Sequence, residues 1–527
     1  MKKYMLVVIL VLLSFGSISC YGETNGNESV EVVPEKLVVF AVADITMTDY
    51  GEEFFSTRYN IGEFSALSEK WGPESYIFYD AICSYQMNTG IEIEVYYFMQ
   101  TLDLLEALKQ CINTDKCPDI IIGSYAAQDY CLYSYFQDEY FADLKPLFDE
   151  DEMYSSGEYF SNILNAGMID NKQYVFPLTF NMNVLLSSKE SMQLHDLGLS
   201  EDMSYSDIIT LFTESWRQEY RENNELLMMQ FTNYQNAYPY GLFQASSGEN
   251  IIDYETGKII LNKEYFYELS NLYESFILND YDMTQEELTD LAGKHKGNLS
   301  YRNSKYNQIR TGVISDESPI DIFDALHEKV GCFAEGGNKT SYMHSFAAQT
   351  YYYESRYEDN QRDFVCYGIP SRGSSDEYVA LVTNYGAVMA NSPYVEYAYG
   401  FLKALADSQP FIFLDMSVNK VNSFSRIEEF SSLYYELYPN LGKFPPEDQP
   451  EGVNWFEDPY KITPLSENSK EYLIYLLDNI SCAKLPEGLL NEIITIEIEE
   501  YIYGDTETLE QAYENVSQQL LLLGFHN

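Results

Sequence analysis

The chain has 527 residues, with 83 Asp and Glu against 31 Lys and Arg, for a formal net charge of −52. That sign excludes nucleic acid and anionic membrane surfaces as partners of the folded part, because both are gripped by Lys and Arg. With 46% hydrophobic and 22% charged residues the chain can bury a core and is not a disordered acidic tail, while 49 Tyr and 30 Phe supply flat rings for a wet surface or cleft.

Residues 1–20 have the layout of an export signal: Lys2 and Lys3, then an apolar run from Met5 to Leu13, then small residues. The run is too short to span a bilayer. Ser17-Ile18-Ser19-Cys20 resembles a bacterial lipobox, with Ser17 where leucine is usual. Cys20 is therefore expected to be lipidated as the mature N-terminus, with an ordinary secretory signal as the alternative. Residues 1–19 read as signal peptide and 20–35 as a solvated tether. No later stretch approaches the about 18 apolar residues of a membrane helix. The remaining seven cysteines are odd in number and irregular in spacing, unlike a disulfide framework. Cys83 and Cys366 sit in apolar runs and read as small buried hydrophobes; Cys111 and Cys117 could bridge, though nothing in the sequence requires it.

From Lys36 the chain alternates. Lys36–Val42 reads as a buried strand, Glu74–Asn88 as a helix ended by Gly90, and Ile91–Phe98 as a second strand. Leu102–Asn113 reads as a short amphipathic helix and Pro118–Gly123 as a third strand. Strand–helix–strand–helix–strand with short links implies a parallel sheet, whose ligands bind beyond the carboxyl ends of its strands. Asp44, Ser124 and Tyr125 follow such ends. Helices are expected around Ser206–Arg221 and Tyr265–Leu278, with a hairpin turn at Asp253–Lys258 between them. Strands return near Val330–Phe333 and Phe364–Pro370, and Val395–Leu405 reads as an amphipathic helix. Two last helices, Leu489–Tyr503 and Thr508–Leu523, are split by Gly504-Asp505.

Familiar catalytic constellations are missing. His327-Glu328 is followed by Gly331 and not by the second histidine of HExxH, and the other four histidines are scattered. Ser246-Ser247-Gly248 lacks the leading glycine of a nucleophile elbow. Neither GxGxxG nor GxxxxGK[ST] occurs, and the segment Asp44–Gly51 fails as a calcium loop. No metal site and no cofactor are expected. With 83 acids no carboxylate pair stands out for glycoside hydrolysis. On the residues alone, a binding protein, a secreted carbohydrate-active enzyme and a surface adhesin all stay open.

Several segments taken in order narrow this. Lys36–Phe40 leads to Asp44, Thr89–Ile93 forms a second-strand motif, and Cys117–Ile122 reads as a "pDii" strand. Phe141–Leu147 (FADLKPL) and Asp170–Pro177 (DNKQYVFP) follow. Later come Tyr367–Pro370, Asn384–Gly386, Ala398–Leu402 and Tyr501–Asp505. In this order the chain resembles the extracellular solute-binding proteins of ABC importers, family 1, the group that includes binders of maltodextrins and other sugars. Asn171, Gln173 and Ser187–Glu190 depart from the family's usual residues, and extra material lies at 280–318 and 425–455.

The resemblance implies an α/β, two-lobed periplasmic-binding-protein-like (type II) fold with a hinge and an interlobe cleft. Residues 36–180 and 372–420 would form lobe I, and 181–371 and 421–527 lobe II. It further implies a monomer without enzymatic activity, anchored outside the cell membrane by lipidated Cys20. Such a protein would capture a small-molecule solute, a sugar or oligosaccharide, and deliver it to an ABC permease. Ligand contacts carried over or read from strand ends are Asp44, Ser124, Tyr125, Thr179, Asn181, Gly336, Gly337 and Asn338. Tyr238 and Phe243 would form a stacking platform, although aromatics there also suit a core.

Overall fold

In the computed structural model the described residues are 33–42, 79–98, 104, 107–109, 111, 117–124, 140–188, 203–210, 230–231, 239–280, 343–346, 364–408, 415–437, 467–502 and 504–526. Residues 35–527 form one compact unit, which holds every element named below. The expected export signal, Cys20, and the expected strand at Val330–Phe333 lie outside the described residues.

The first core is built on a seven-stranded sheet. Strand β1 (Lys36–Val42) is flanked by β2 (Glu92–Phe98) and β3 (Ile120–Ser124), both parallel to it. Helix α1 (Tyr79–Thr89) precedes β2 and stops where expected: Gly90 takes φ +74°, and its N–H caps the Gln86 carbonyl at 2.9 Å. β1 and β3 read as nearly continuous apolar runs, whereas β2 alternates, burying Ile93, Val95 and Phe98 and leaving Glu92 exposed. Leu37, Val39, Ile93, Val95 and Ile120 are fully buried, each contributing roughly 1.5–3 kcal/mol of transfer free energy.

Asp119, just before β3, is hydrogen-bonded from three sides. Its backbone N–H donates to the Val38 carbonyl (2.8 Å), and its carboxylate accepts from the Val38 N–H (2.9 Å) and the Ser392 hydroxyl (2.6 Å). Its carbonyl accepts from the Met389 N–H at 2.9 Å. The acid of the "pDii" motif therefore aligns β1 and β3 with the chain that follows the sheet's longest strand.

Helices α2 (Lys145–Glu150) and α3 (Ser161–Leu164) lead to a small hairpin of β4 (Met168–Ile169) and β5 (Lys172–Gln173). Its two turn residues, Asp170 and Asn171, both have positive φ (48° and 57°), the geometry of a tight two-residue hairpin turn. Gln173 is fully buried, its amide donating to the carbonyls of Leu164 (3.0 Å) and Val175 (2.6 Å) and accepting from the Tyr154 hydroxyl. Asn171 and Gln173 thus both have local structural work.

Strand β6 (Phe176–Asn181) lies in the first sheet, and after Met182 the chain enters β7 (Asn183–Ser188) of a second, four-stranded sheet. That sheet also takes β8 (Gln230–Phe231) and two later strands. Helix α4 (Pro239–Ser246) is followed by the expected hairpin, β9 (Ile252–Asp253) with β10 (Lys258–Ile259). Asp253 shapes its turn by accepting from the Glu255 N–H (2.9 Å) and the Thr256 hydroxyl (2.6 Å). Helix α5 (Lys263–Asp280) covers and extends the expected Tyr265–Leu278. Tyr205–Thr210 is helical where Ser206–Arg221 was expected, and residues 211–221 lie outside the described set.

Strands β11 (Met343–Phe346) and β12 (Phe364–Gly368) complete the second sheet, both antiparallel to β7. The chain then returns to the first sheet as β13 (Tyr378–Val388), every residue of which is buried. Gly123 of β3 faces the Tyr385 ring, and an added Cβ there would lie 2.2 Å from it. Helix α6 (Val395–Ala406) buries Ala398, Phe401, Leu402 and Leu405 on the sheet. Next come β14 (Met416–Ser417), α7 (Lys420–Leu437), α8 (Glu467–Asp478) and β15 (Ile480–Lys484), the last parallel to β13. The sheet order is β14-β6-β13-β3-β1-β2, with β15 also on β13, so the expected parallel trio is one edge of a mixed sheet.

Helices α9 (Gly488–Ile502) and α10 (Leu509–Leu522) end the described chain, α10 capped by Thr508, whose side chain accepts from the Gln511 N–H at 3.2 Å. With α4 and α5 they form a second core, in which Phe266, Leu269 and Tyr273 meet Ile494, Ile498, Val516 and Leu520. Met182, Val184, Ile427, Leu473, Leu476, Ile480 and Leu485 belong to the first core; residues from Leu490 onward belong to the second. The architecture is α/β with two cores, and the backbone passes between them three times.

Cys83 is half-buried, so the expectation of a fully buried cysteine there needs correcting: it lies on the half-covered side of α1.

Candidate functional site

The three passages between the cores are β7, whose Val184 still packs in the first core, the stretch from β12 to β13, and that from β15 to α9. All of them are tied to one stretch, Gln244–Tyr254, at the end of α4. At the first passage the Asn183 amide donates to the Ser246 hydroxyl at 3.1 Å. At the second, the Arg372 N–H donates to the Ser247 carbonyl (2.8 Å), and its guanidinium forks to Glu249 (2.8 Å) and Glu268 (2.9 Å). At the third, the Lys484 ammonium reaches the Glu249 carbonyl, and the Tyr254 hydroxyl donates to Glu487 at 2.9 Å.

Burial pulls the Lys484 ammonium down, opposed first by Glu487; burial pushes the Glu487 carboxyl up, opposed by Lys484 and Tyr254. Arg372 is shielded too, but its two carboxylate partners together outweigh burial and hold it above its ordinary value.

A second polar node sits inside the first core beneath the first passage. Asn384 on β13 donates to the Thr179 hydroxyl (2.8 Å) and to Asp415 Oδ2 (3.2 Å). Thr179 and Thr383 share a hydroxyl–hydroxyl bond of 2.8 Å. Asn181 donates to Asp415 Oδ1 at 3.4 Å while its own Oδ1 accepts from the Met182 N–H at 3.0 Å. Arg426 of α7 is 2% exposed; burial lowers it to about 10 and Asp415 pulls it back, so it stays charged at neutral pH.

The structure thus brings three of the expected ligand contacts together. Ser124 stands across the sheet from Asn384 in register, Thr179 and Asn181 bond to the same node, and none of the three is more than 1% exposed. The Thr179 and Asn181 side chains bond β6 to β13 and to Asp415. Phe243 is a correction: its ring is fully buried in the second core, edge-on to Tyr205 at 5.8 Å, so no face is left on which a ligand could stack. Its backbone carbonyl accepts from the Tyr205 hydroxyl at 2.6 Å. Asp44, Tyr125, Tyr238, Gly336, Gly337 and Asn338 lie outside the described residues.

Asp415, Arg426 and Arg372 were missed in the sequence. A signal existed for Asp415, a lone charge at the end of the apolar run Phe411–Leu414, where an acid must find a partner if it is buried. Nothing singled out the two arginines. Among the described residues no group of His, Cys, Asp or Glu could hold a metal ion, and no helix is long and apolar enough to cross a membrane.

No protein-family model matches the chain, and no curated protein matches it. Solved structures to which it is similar include several solute-binding proteins. One is the family 1 protein of Alicyclobacillus acidocaldarius (12% identity, 94% of this chain and 100% of that one, TM-score 0.49). Another is an ABC substrate-binding protein of Listeria monocytogenes in complex with cycloalternan (14%, 93% and 99%, TM-score 0.45). A third is the galacto-N-biose-/lacto-N-biose I-binding protein of a Bifidobacterium longum ABC transporter (10%, 93% and 98%, TM-score 0.48).

Proposed function

We propose that this protein is an exported solute receptor that captures a sugar or oligosaccharide between two lobes and passes it, unaltered, to an ABC permease. The observation that carries the reading is the pair of cores joined by three passages, each tied to Gln244–Tyr254. The ordered sequence motifs support it. Short passages let two bodies rotate while each core stays intact. A guest touched by groups from both lobes makes its full contacts only when they close, so its binding energy favours closure.

In this reading the lobes divide near 182–184, 369–378 and 485–490, which moves 421–485 from the second lobe, where the sequence put it, to the first, because Ile427, Leu473, Leu476 and Ile480 pack in the first core. Asp44 and Tyr125 follow strands of the first lobe and meet the guest there, Asp44 accepting from two hydroxyls. Tyr238, Gly336, Gly337 and Asn338 meet it from the second lobe. Ser124, Thr179 and Asn181 fix the strand ends that carry these groups. Tyrosine suits a sugar, whose C–H faces lie on rings while its hydroxyls take directed bonds. Cys20, lipidated, holds the receptor at the outer face of the membrane.

A thermal-shift series with mono- and oligosaccharides and, as a contrast, short peptides tests this. The expected result is a concentration-dependent rise in Tm with a soluble glycan, which chromatography then recovers unchanged. Cleaved glycan would instead identify an enzyme. No response to any soluble glycan would remove the sugar assignment.

A further inference from the structure

The loop between β12 and β13 straddles the two cores. Ile369 at its start is buried in the second core, and Tyr378 at its end is buried in the first. Across its base Pro370 bridges to Tyr378, and the Ser371 N–H donates to the Glu377 carbonyl at 2.7 Å. The Tyr378 N–H donates to the Asn479 carbonyl at 3.0 Å, so the returning arm is fastened to the first core. Arg372 ties the same loop to the second core. Its Nε lies 2.9 Å from Glu268 of α5, its Nη1 lies 2.8 Å from Glu249 beyond α4, and its guanidinium sits over the Tyr265 ring at 5.9 Å. Gly373 follows at φ +90°, with open space where a Cβ would stand, so the loop can turn there without collision.

The Arg372, Glu249 and Glu268 side chains keep 20–25% of their area, so salt ions reach the fork. The Asn183–Ser246 bond at the first passage is neutral and buried, and salt does not weaken it. Glu249 also accepts the Lys484 ammonium at its backbone carbonyl, so one residue joins the second and third passages. By contrast, the ion pairs Lys36–Glu94 and Lys403–Asp151 lie within the first core and Lys263–Glu510 within the second.

We propose that the fork from Arg372 to Glu249 and Glu268 is a salt-sensitive latch that fixes the angle between the two cores. While the fork is made, the stretch left to bend runs from Gly373 to Glu377 and is itself braced. There the Ser374 hydroxyl donates to Asp376 (3.0 Å) and accepts from the Glu377 N–H (3.1 Å). When the fork parts, the second core loses its hold on the loop beyond Ile369, and the cores turn against one another at Gly373. Both bonds are charge-assisted yet partly hydrated, which lets them hold at low ionic strength and release at high. The latch rests on the two cores moving against each other, and not on which solute the protein takes.

The test is the distance between two spin labels on the purified protein, read by pulsed electron spin resonance. An unnatural keto amino acid, which leaves the cysteines alone, carries the labels at two exposed positions: Ser84 of α1 in the first core and Gln518 of α10 in the second. Salt is varied from about 0.1 M to about 1 M, over which the screening length falls from about 10 Å to about 3 Å. The expected result for wild-type protein is a narrow distribution at low salt that broadens at high salt. Arg372→Gln and Glu249→Gln should be broad at low salt already and indifferent to added salt. Lys403→Gln, which breaks an ion pair inside the first core, should behave as wild type. Fork variants with the wild-type distribution would overturn the latch: a narrow one would show that the cores do not move, a broad one that they move without this restraint. A salt response that survives in Arg372→Gln would overturn it too.

Discussion

The two polar nodes near the passages between the cores differ in how much water they keep, and so in what each can do. The node of Thr179, Asn181, Asn384, Asp415 and Arg426 is buried, no member more than 7% exposed. In the other node Arg372, Glu249 and Glu268 keep 20–25% of their side-chain area, beside Lys484 and Glu487, which burial shields. A buried node tolerates no missing partner, because what remains is an uncompensated charge in a low dielectric. A wetter node can lose a partner and let water substitute. The first is suited to fixing strand ends, the second to a joint that changes shape.

The largest expected effect is at the buried node. Asp415→Ala leaves the Arg426 charge without its carboxylate, and stability should fall by about 3–5 kcal/mol in urea denaturation. A loss below about 1 kcal/mol would show that water already reaches this node. At the second node Arg372→Ala should cost less, about 1–3 kcal/mol for two charge-assisted bonds. That cost should shrink in high salt, whereas that of Asp415→Ala should not. Equal salt dependence at both would break the comparison.

The smallest effect is a slope with pH. The Glu487 carboxyl is raised by burial, so the folded state holds a proton that the unfolded chain has already released. Stability should therefore decline as pH rises from the ordinary carboxylate range through the raised folded value. Glu487→Gln, which does not titrate, should flatten that decline. Arg426, at about 10, contributes no slope in the same window. An unchanged profile in Glu487→Gln would mean that Glu487 is not the group responsible.

Three strands of the first sheet, β1, β2 and β3, were legible because each lies in a short run bounded by a glycine, proline or acid, as in Lys36–Val42 and Pro118–Gly123, whereas β6, β13, β14 and β15 of the same sheet were not read as strands. The hairpin at Asp253–Lys258 was legible because a carboxylate and a glycine make such turns locally. The nodes were not. Asn181, Asn384, Asp415 and Arg426 meet only after the chain has left the first sheet and returned, and no local pattern marks that encounter. Phe243 shows the converse limit, since an aromatic's residue type is the same on an open face and in a core. Only the packing of Tyr205 against it decides.

Small-angle X-ray scattering of the purified protein, before and after saturation with a glycan that raises its Tm, measures the central idea most directly. Two lobes closing on a guest should contract the radius of gyration and shorten the maximum dimension at one equivalent of glycan. A scattering curve that stays superimposable while the glycan is demonstrably bound would contradict a closing receptor.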